Sequence, residues 1–283
     1  MDTFKVLSRL RRYECTLYDN SDAELDRLES DLKEDPARYT ALYIEFPGNP
    51  LLGSPNLFRI HALSRQYGFA IVLDDTIATS VNLDLLPYTD MICTSLTKMF
   101  SGACNVMGGS ITLNPESPHY HVFSSNLSSN AVDSYFPSDI LVMAANSTDF
   151  PSRVRKANES ASILAAKLCT HPKVLQVYYP EGSASQKHYD QHKRANAGYG
   201  FLLSVKFVHP DSAIAFYDAL AVAKGPSLGT NFTLACAYAW LAHAKELEWA
   251  AKYGVDEHLV RISVGIEETS ELEAIVDSAL AAA

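Results

Sequence analysis

The chain has 283 residues, of which 47% are hydrophobic and 20% charged, and its formal net charge at pH 7 is −10. This composition suits a folded α/β protein with a sizeable core. The acidic balance excludes neither enzyme nor binding module, but argues against a nucleic-acid groove or an anionic membrane surface, both of which need a basic face.

Residues 22–35 are acidic with interleaved leucines and predict one helix with a solvated face. Residues 41–46 then read as a β-strand, 56–67 as an amphipathic helix and 69–74 as a second strand, an order that predicts βαβ units and a largely parallel sheet. Residues 90–94 and 106–113 read as two further buried strands of a sheet covered by helices. Asn114-Pro115 and Asp149-Phe150-Pro151 interrupt the pattern, and an alanine-rich helix is expected at 153–168. A boundary near there divides the chain into a large domain, 1–150, and a smaller α+β domain, 151–283. The latter carries expected strands at 201–207 and 260–264, helices at 211–223 and 268–282, and a polar loop at 182–192.

Cys15, Cys93, Cys104, Cys169 and Cys236 are scattered and form no C-x-x-C pair, which predicts a reducing compartment. The N-terminal residues lack the basic-then-apolar pattern of a secretion signal, and no stretch stays apolar for a membrane-spanning length, so a cytoplasmic protein is expected.

Two segments carry chemistry. In Ser95-Leu96-Thr97-Lys98 a lysine follows a strand, and in extended backbone the two hydroxyls before it point to one side. Hydroxyls that donate to phosphate beside an amine that reaches a carbonyl carbon suit a phosphate-bearing aldehyde cofactor. Asp74 and Asp75 end the strand at 69–74, where open α/β sheets place their ligands. A buried carboxylate at Asp74 needs a partner, and a pyridinium N–H would supply one. The spacing His188-x-x-x-His192 would suit a metal pair on a helix, but no third ligand accompanies it and no metal site is assigned. Trp240 and Trp249 are expected in core or interface packing rather than as a stacking platform.

Taken in order, Glu45-Phe46-Pro47-Gly48-Asn49-Pro50-Leu51-Leu52, Asp74-Asp75-Thr76-Ile77-Ala78-Thr79, Ser95-Leu96-Thr97-Lys98, Val106-Met107-Gly108-Gly109 and Arg261-Ile262-Ser263-Val264-Gly265-Ile266-Glu267 resemble the signature blocks of the Cys/Met-metabolism PLP-dependent (trans-sulfuration) enzymes. The run Lys224-Gly225-Pro226-Ser227-Leu228-Gly229-Thr230-Asn231-Phe232-Thr233 resembles the fungal type of cystathionine γ-synthase. The resemblance implies the type I, aspartate-aminotransferase-like fold, with pyridoxal 5′-phosphate as cofactor. Residue by residue, it implies that Lys98 forms the Schiff base and shuttles protons, that Ser95 and Thr97 hold the phosphate, and that Asp74 pairs with the ring nitrogen. It further implies that Asn49 bonds the ring hydroxyl, that Arg261 holds the substrate carboxylate, and that Glu45 and Ser227 shape the substrate side.

The implied reaction is γ-replacement on an O-acylated homoserine by a thiol such as cysteine, in primary or secondary metabolism. β- or γ-Elimination, as in lyases of the family, shares the early steps, and a third reading keeps the fold with little catalysis. A homo-oligomer is implied, acting on a small amino-acid substrate. The resemblance sets in at Asp2-Thr3-Phe4-Lys5, so the large domain is expected to lack its N-terminal part, with the family's phosphate loop, stacking aromatic and Tyr-x-Arg arm. Tyr13 and Tyr18 are poor substitutes for that aromatic. Within the blocks, Asp75 stands where the family commonly has Asn, and Ser80 where it has Pro.

Overall fold

A computed structural model of the chain describes residues 14–283 together with Val6 and Leu10. The matches assigned above to Asp2-Thr3-Phe4-Lys5 and Tyr13 lie outside the described residues.

Helix α1, Asp22–Glu34, starts where the Ser21 hydroxyl accepts the Glu24 N–H at 3.2 Å, satisfying one of the N–H groups that a helix start leaves without a partner. Its apolar stripe Leu25, Leu28 and Leu32 is buried while the acidic face stays in water. Strand β1, Ala41–Glu45, leads to helix α2, Leu57–Tyr67, which Asn56 caps and which Gly68 stops in the left-handed conformation at φ 81°. Strands β2, Ala70–Asp74, and β3, Met91–Ser95, pair parallel with β1 in the order β1-β2-β3, and β4, Gly109–Leu113, adds antiparallel to β3. At the opposite end from the loops described below, the fully buried Asp90 accepts the Ile71 N–H, the Ser117 hydroxyl and Arg65, at 2.7, 2.6 and 2.9 Å. Burial alone would raise this carboxyl's pKa; those three donors bring it below the ordinary value.

One strand expectation fails here. Residues 106–113 read as a buried strand, yet β4 begins only at Gly109 and its residues are exposed or half-buried, because it forms an edge of the described sheet. Helices α3, Tyr120–Asn130, and α4, Pro137–Asn146, follow it.

Helix α5, Phe150–Cys169, runs from Pro151 in its first turn and buries a stripe that includes Arg153, Ala157, Ala161, Leu164 and Leu168. After it come β5, Val174–Tyr178, β6, Leu202–Phe207, helix α6, Pro210–Ala219, β7, Ala223–Lys224, β8, Leu234–Ala237, β9, Val260–Ser263, and helix α7, Thr269–Ala282. The second sheet has the order β5-β6-β9-β8-β7 and is antiparallel except for the β7–β8 pair. Helices α5, α6 and α7 cover it around a core containing Phe207, Phe216 and Ile262.

The two sheets share material. A cluster of Leu52, Ile77, Met99, Val154, Ala157, Phe201, Leu202 and Leu228 draws on both. The side-chain amides of Asn82 and Asn158 exchange hydrogen bonds at 3.1 and 2.7 Å.

The stretch 182–192, expected as a loop, contains a short helix, Gln186–Asp190, whose Tyr189 is fully buried in the core of the first sheet. His192 is 3% exposed, boxed by Phe46, Phe58 and Tyr88, and neither ring nitrogen has a hydrogen-bond partner. Apolar side chains at 189 and in the box outweigh the polar composition that suggested a loop. Among the described residues no group of three or more His, Cys, Asp or Glu side chains is placed to hold a metal ion. Trp249 packs against the rings of His243 and Tyr253 at tilted angles, and Trp240 is 48% exposed on the single chain. No helix among the described residues is long and apolar enough to cross a membrane.

Candidate active site

Parallel pairing in register brings the carboxyl ends of β1, β2 and β3 together, with Glu45 opposite Asp74 and Asp74 opposite Cys93. The continuous apolar run of β2 suggests burial as far as Asp74, but burial ends at Leu73 and Asp74, the last residue of the strand, is exposed. The buried carboxylate is Asp75, which accepts the Thr94 hydroxyl at 2.5 Å. Desolvation raises the Asp75 pKa, Thr94 opposes this, and Asp74 adds like-charge repulsion. Asp74 is oriented by its own turn, accepting the Thr76 N–H at 2.9 Å, and among the described residues no cation lies within ion-pair distance of it. The Thr76 hydroxyl accepts the Ser95 N–H at 2.8 Å, so two side-chain hydrogen bonds join the ends of β2 and β3.

Beyond Ser95 the chain turns. The Lys98 N–H donates to Ser95 O at 3.2 Å, and the Gly102 N–H to Lys98 O at 2.8 Å. Thr97 is therefore not on an extended run with Ser95. Its hydroxyl instead accepts the Gly108 N–H at 3.0 Å, and its own N–H donates to Gly108 O at 3.2 Å. The spacing argument for two hydroxyls on one side fails because the strand ends at Ser95, two residues before Thr97. Ser95 and Thr97 nonetheless flank the same turn as Lys98.

Lys98 is half-buried, and its Nζ donates to Ser227 Oγ at 3.0 Å. Desolvation pushes its pKa below the ordinary lysine value, and the Arg261 charge adds to that. Ser227 sits on the loop between β7 and β8, which backs onto Lys98 so closely that a Cβ on Gly229 would lie 2.6 Å from Met99 N and 3.0 Å from Lys98 Cβ. Gly229 has φ 69°, a conformation glycine adopts without strain.

Arg261, on β9, is 3% exposed. Its Nη1 donates to Asn49 Oδ1 at 3.0 Å, its Nη2 to Pro226 O at 2.5 Å and Ser227 O at 3.1 Å, and its guanidinium lies 5.0 Å from the Tyr238 ring centroid. Burial lowers its pKa, though an arginine stays charged at neutral pH. Asn49 in turn donates its N–H to Glu45 Oε2 at 3.1 Å. Desolvation in the cleft raises the Glu45 pKa, with the Asn49 N–H opposing and Asp74 adding.

The structure thus links Lys98, Ser227, Arg261, Asn49 and Glu45 in one chain of contacts, with Asp74 beside Glu45. Sequence reasoning missed Tyr238, which pairs with the guanidinium face, and mistook which of the two aspartates is buried. It also passed over Arg153, although Arg153, Ala157, Ala161 and Leu164 share the helical spacing of a buried face. An amine, a strand-end carboxylate, an amide, hydroxyls and a guanidinium together form a donor set that fits a phosphorylated pyridine aldehyde and an amino acid.

Residues 2–281 match the family described as Cys/Met metabolism PLP-dependent enzyme. A cystathionine γ-synthase-like protein of Aspergillus thermomutatus is 49% identical over 271 residues, covering 95% of this chain and 48% of that protein. A cystathionine γ-synthase of Neurospora crassa is 46% identical over 281 residues, covering 99% of this chain and 45% of that protein. The chain therefore spans about half the length of these curated relatives. A crystal structure of cystathionine γ-synthase from Xanthomonas oryzae pv. oryzae, in complex with cystathionine, superposes with a TM-score of 0.86 at 24% identity, covering 99% of this chain and 71% of that one. This likeness establishes the fold as that of the PLP-dependent cystathionine γ-synthases and lyases.

Proposed function

Since the chain belongs to the Cys/Met metabolism PLP-dependent enzyme family, whose cofactor is pyridoxal 5′-phosphate, we propose that it serves γ-replacement on an O-acylated homoserine by a thiol such as cysteine. The observation that carries this reading is the Lys98–Ser227–Arg261–Asn49 chain of contacts, which sets an amine of depressed pKa next to a buried guanidinium.

In this reading Lys98 would hold the cofactor aldehyde, Ser95 and Thr97 would hold its phosphate, Asp74 would pair with its ring nitrogen and Asn49 would bond its ring hydroxyl. When bound, the cofactor supplies an electron sink that makes protons on the substrate carbons acidic. Arg261 receives the substrate α-carboxylate, a task that suits a planar fork better than a point charge. The Lys98 amine would take and return protons at Nζ, and its lowered pKa leaves more of it in the basic form at neutral pH. The Ser227 hydroxyl accepts from Nζ and limits where the proton can be delivered. Glu45 closes the substrate side.

The division into domains 1–150 and 151–283, with the cleft between them, belongs to this proposal, as do a homo-oligomer and a cytoplasmic site of action. The separate hydrophobic cores of the two sheets and the five free cysteines support the first and last of these.

The test is the purified protein with added pyridoxal phosphate. A visible absorption band that is lost in Lys98→Ala is expected, followed by cystathionine formation from an O-acylhomoserine and cysteine. Release of ammonia and a keto acid, without thiol incorporation, would instead assign elimination. A band that survives Lys98→Ala would remove that residue from the role.

A further inference from the structure

Arg153 is 4% exposed, near the start of α5, and all five of its N–H groups are engaged. Nε donates to Asp149 Oδ1 at 2.7 Å, Nη1 to Met99 O at 2.7 Å and Asn231 Oδ1 at 3.1 Å, and Nη2 to Phe100 O at 2.8 Å and Asn146 O at 2.9 Å. Met99 and Phe100 directly follow Lys98. Asn231 lies on the loop that carries Ser227, and its own N–H donates to Gly102 O at 2.8 Å. One guanidinium therefore holds both the turn that presents the Lys98 amine and the loop that presents its hydroxyl acceptor.

The packing leaves no slack. A Cβ on Gly102 would lie 2.1 Å from Asn231 Oδ1 and 2.4 Å from Arg153 Nη1. Asn146, whose carbonyl receives Nη2, also donates its side-chain amide to Ser101 Oγ at 2.8 Å and Asn105 Oδ1 at 2.9 Å, so the far side of the same turn is held from α4. Taking a cation this far out of water is unfavourable, and apolar packing could tie two loops together more cheaply. What apolar packing cannot do is fix five directions at once, and a lysine, with three donors at one point, cannot do it either.

We propose that Arg153 is a positioning residue for Lys98: by tying the Met99 and Phe100 carbonyls to Asn231, it sets the separation of Lys98 Nζ from Ser227 Oγ. Loosening this tie admits water to the amine and lets it move from Arg261, and both changes favour its protonated form. The inference rests on the reading of Lys98 as the cofactor-holding amine, but it can be tested without cofactor.

The test is reductive methylation of the purified chain with formaldehyde and cyanoborohydride across a pH series, with modification of the Lys98 peptide followed by mass spectrometry. In the wild type Lys98 should react at lower pH than the exposed lysines. In Arg153→Lys and Arg153→Ala its midpoint should move upward, with reaction at pH 8 falling by about threefold or more relative to those lysines. Asn231→Ala should give a smaller shift in the same direction. Should Arg153→Ala not fold, Arg153→Lys and Asn231→Ala carry the experiment. Lower melting temperatures with an unchanged Lys98 midpoint would overturn the proposal, since a purely structural role predicts that result. A separate arm, pyridoxal phosphate followed by borohydride, isolates the underlying reading: a wild type without a Lys98 adduct overturns the cofactor role, whatever the methylation midpoints show.

Discussion

Arg261 Nη1 donates to Asn49 Oδ1 at 3.0 Å, joining positions 212 residues apart and tying the second sheet to the loop behind β1. With Nη2 committed to two carbonyls and Tyr238 on one face, the guanidinium is held in one orientation.

Arg261→Lys keeps the charge and loses that orientation. KM for the amino-acid substrate should rise roughly 10- to 100-fold, about 1.4–3 kcal/mol, with kcat changing less. Steady-state kinetics decide it, and an unchanged KM removes Arg261 from the carboxylate site.

The buried Asp75–Thr94 pair separates two effects. Thr94→Val leaves a buried carboxylate without its hydroxyl donor and should cost about 1–3 kcal/mol in urea unfolding. Asp75→Asn keeps an acceptor and removes a charge whose pKa is raised by burial. A carboxyl with a raised folded pKa costs stability when ionised and less as pH falls through that pKa, so Asp75→Asn should be neutral or stabilising at pH 7, its advantage shrinking in acid. Equal losses in both variants would contradict this.

Gly229 and Gly68 both have positive φ, at 69° and 81°, but only Gly229 has close neighbours. Gly68→Ala should cost about 1–2 kcal/mol from the left-handed backbone alone. Gly229→Ala adds a forced separation from Met99 and Lys98 and should lower Tm further, by about 2–4 °C for each additional kcal/mol. Identical melting shifts would argue against close approach at Gly229.

His192 gives a pH dependence. Burial, with His188 adding to it and Asp84 opposing, holds its pKa at about 4. Below the unfolded value of about 6.5 the unfolded chain binds a proton that the folded chain refuses, so stability is complete above that value and is lost as pH falls toward 4. The loss should reach roughly 3 kcal/mol at full protonation. His192→Phe keeps a ring in the aromatic box and should flatten this slope; wild type and variant falling in parallel between pH 7 and 4 would rule it out.

Much of the fold is legible in the sequence where local signals and burial agree. The Asn56 cap and Gly68 stop bracket α2, and apolar runs with Val or Ile mark β2, β6 and β9. Reading fails where tertiary position decides. β4 has a strand's composition but lies at a sheet edge, and Tyr189 sits in polar surroundings yet reaches the core. In the site, Lys98, Asn49, Ser227 and Arg261 were legible only through the order of their motifs, since none is distinctive alone. Asp74 against Asp75 was not legible, because in a strand buried on both faces the period-2 pattern says nothing about which residue first emerges. Tyr238 left no signal, as its role depends on β8 and β9 pairing antiparallel.

Register pairing places Glu45 and Asp74 on adjacent strands, about 5 Å apart in backbone, whereas Lys98 and Arg261 both converge on Ser227. Asn49 stands between the two groups, its side-chain oxygen accepting from Arg261 and its N–H donating to Glu45. A shift of that one residue would therefore reach the guanidinium and the carboxylate together.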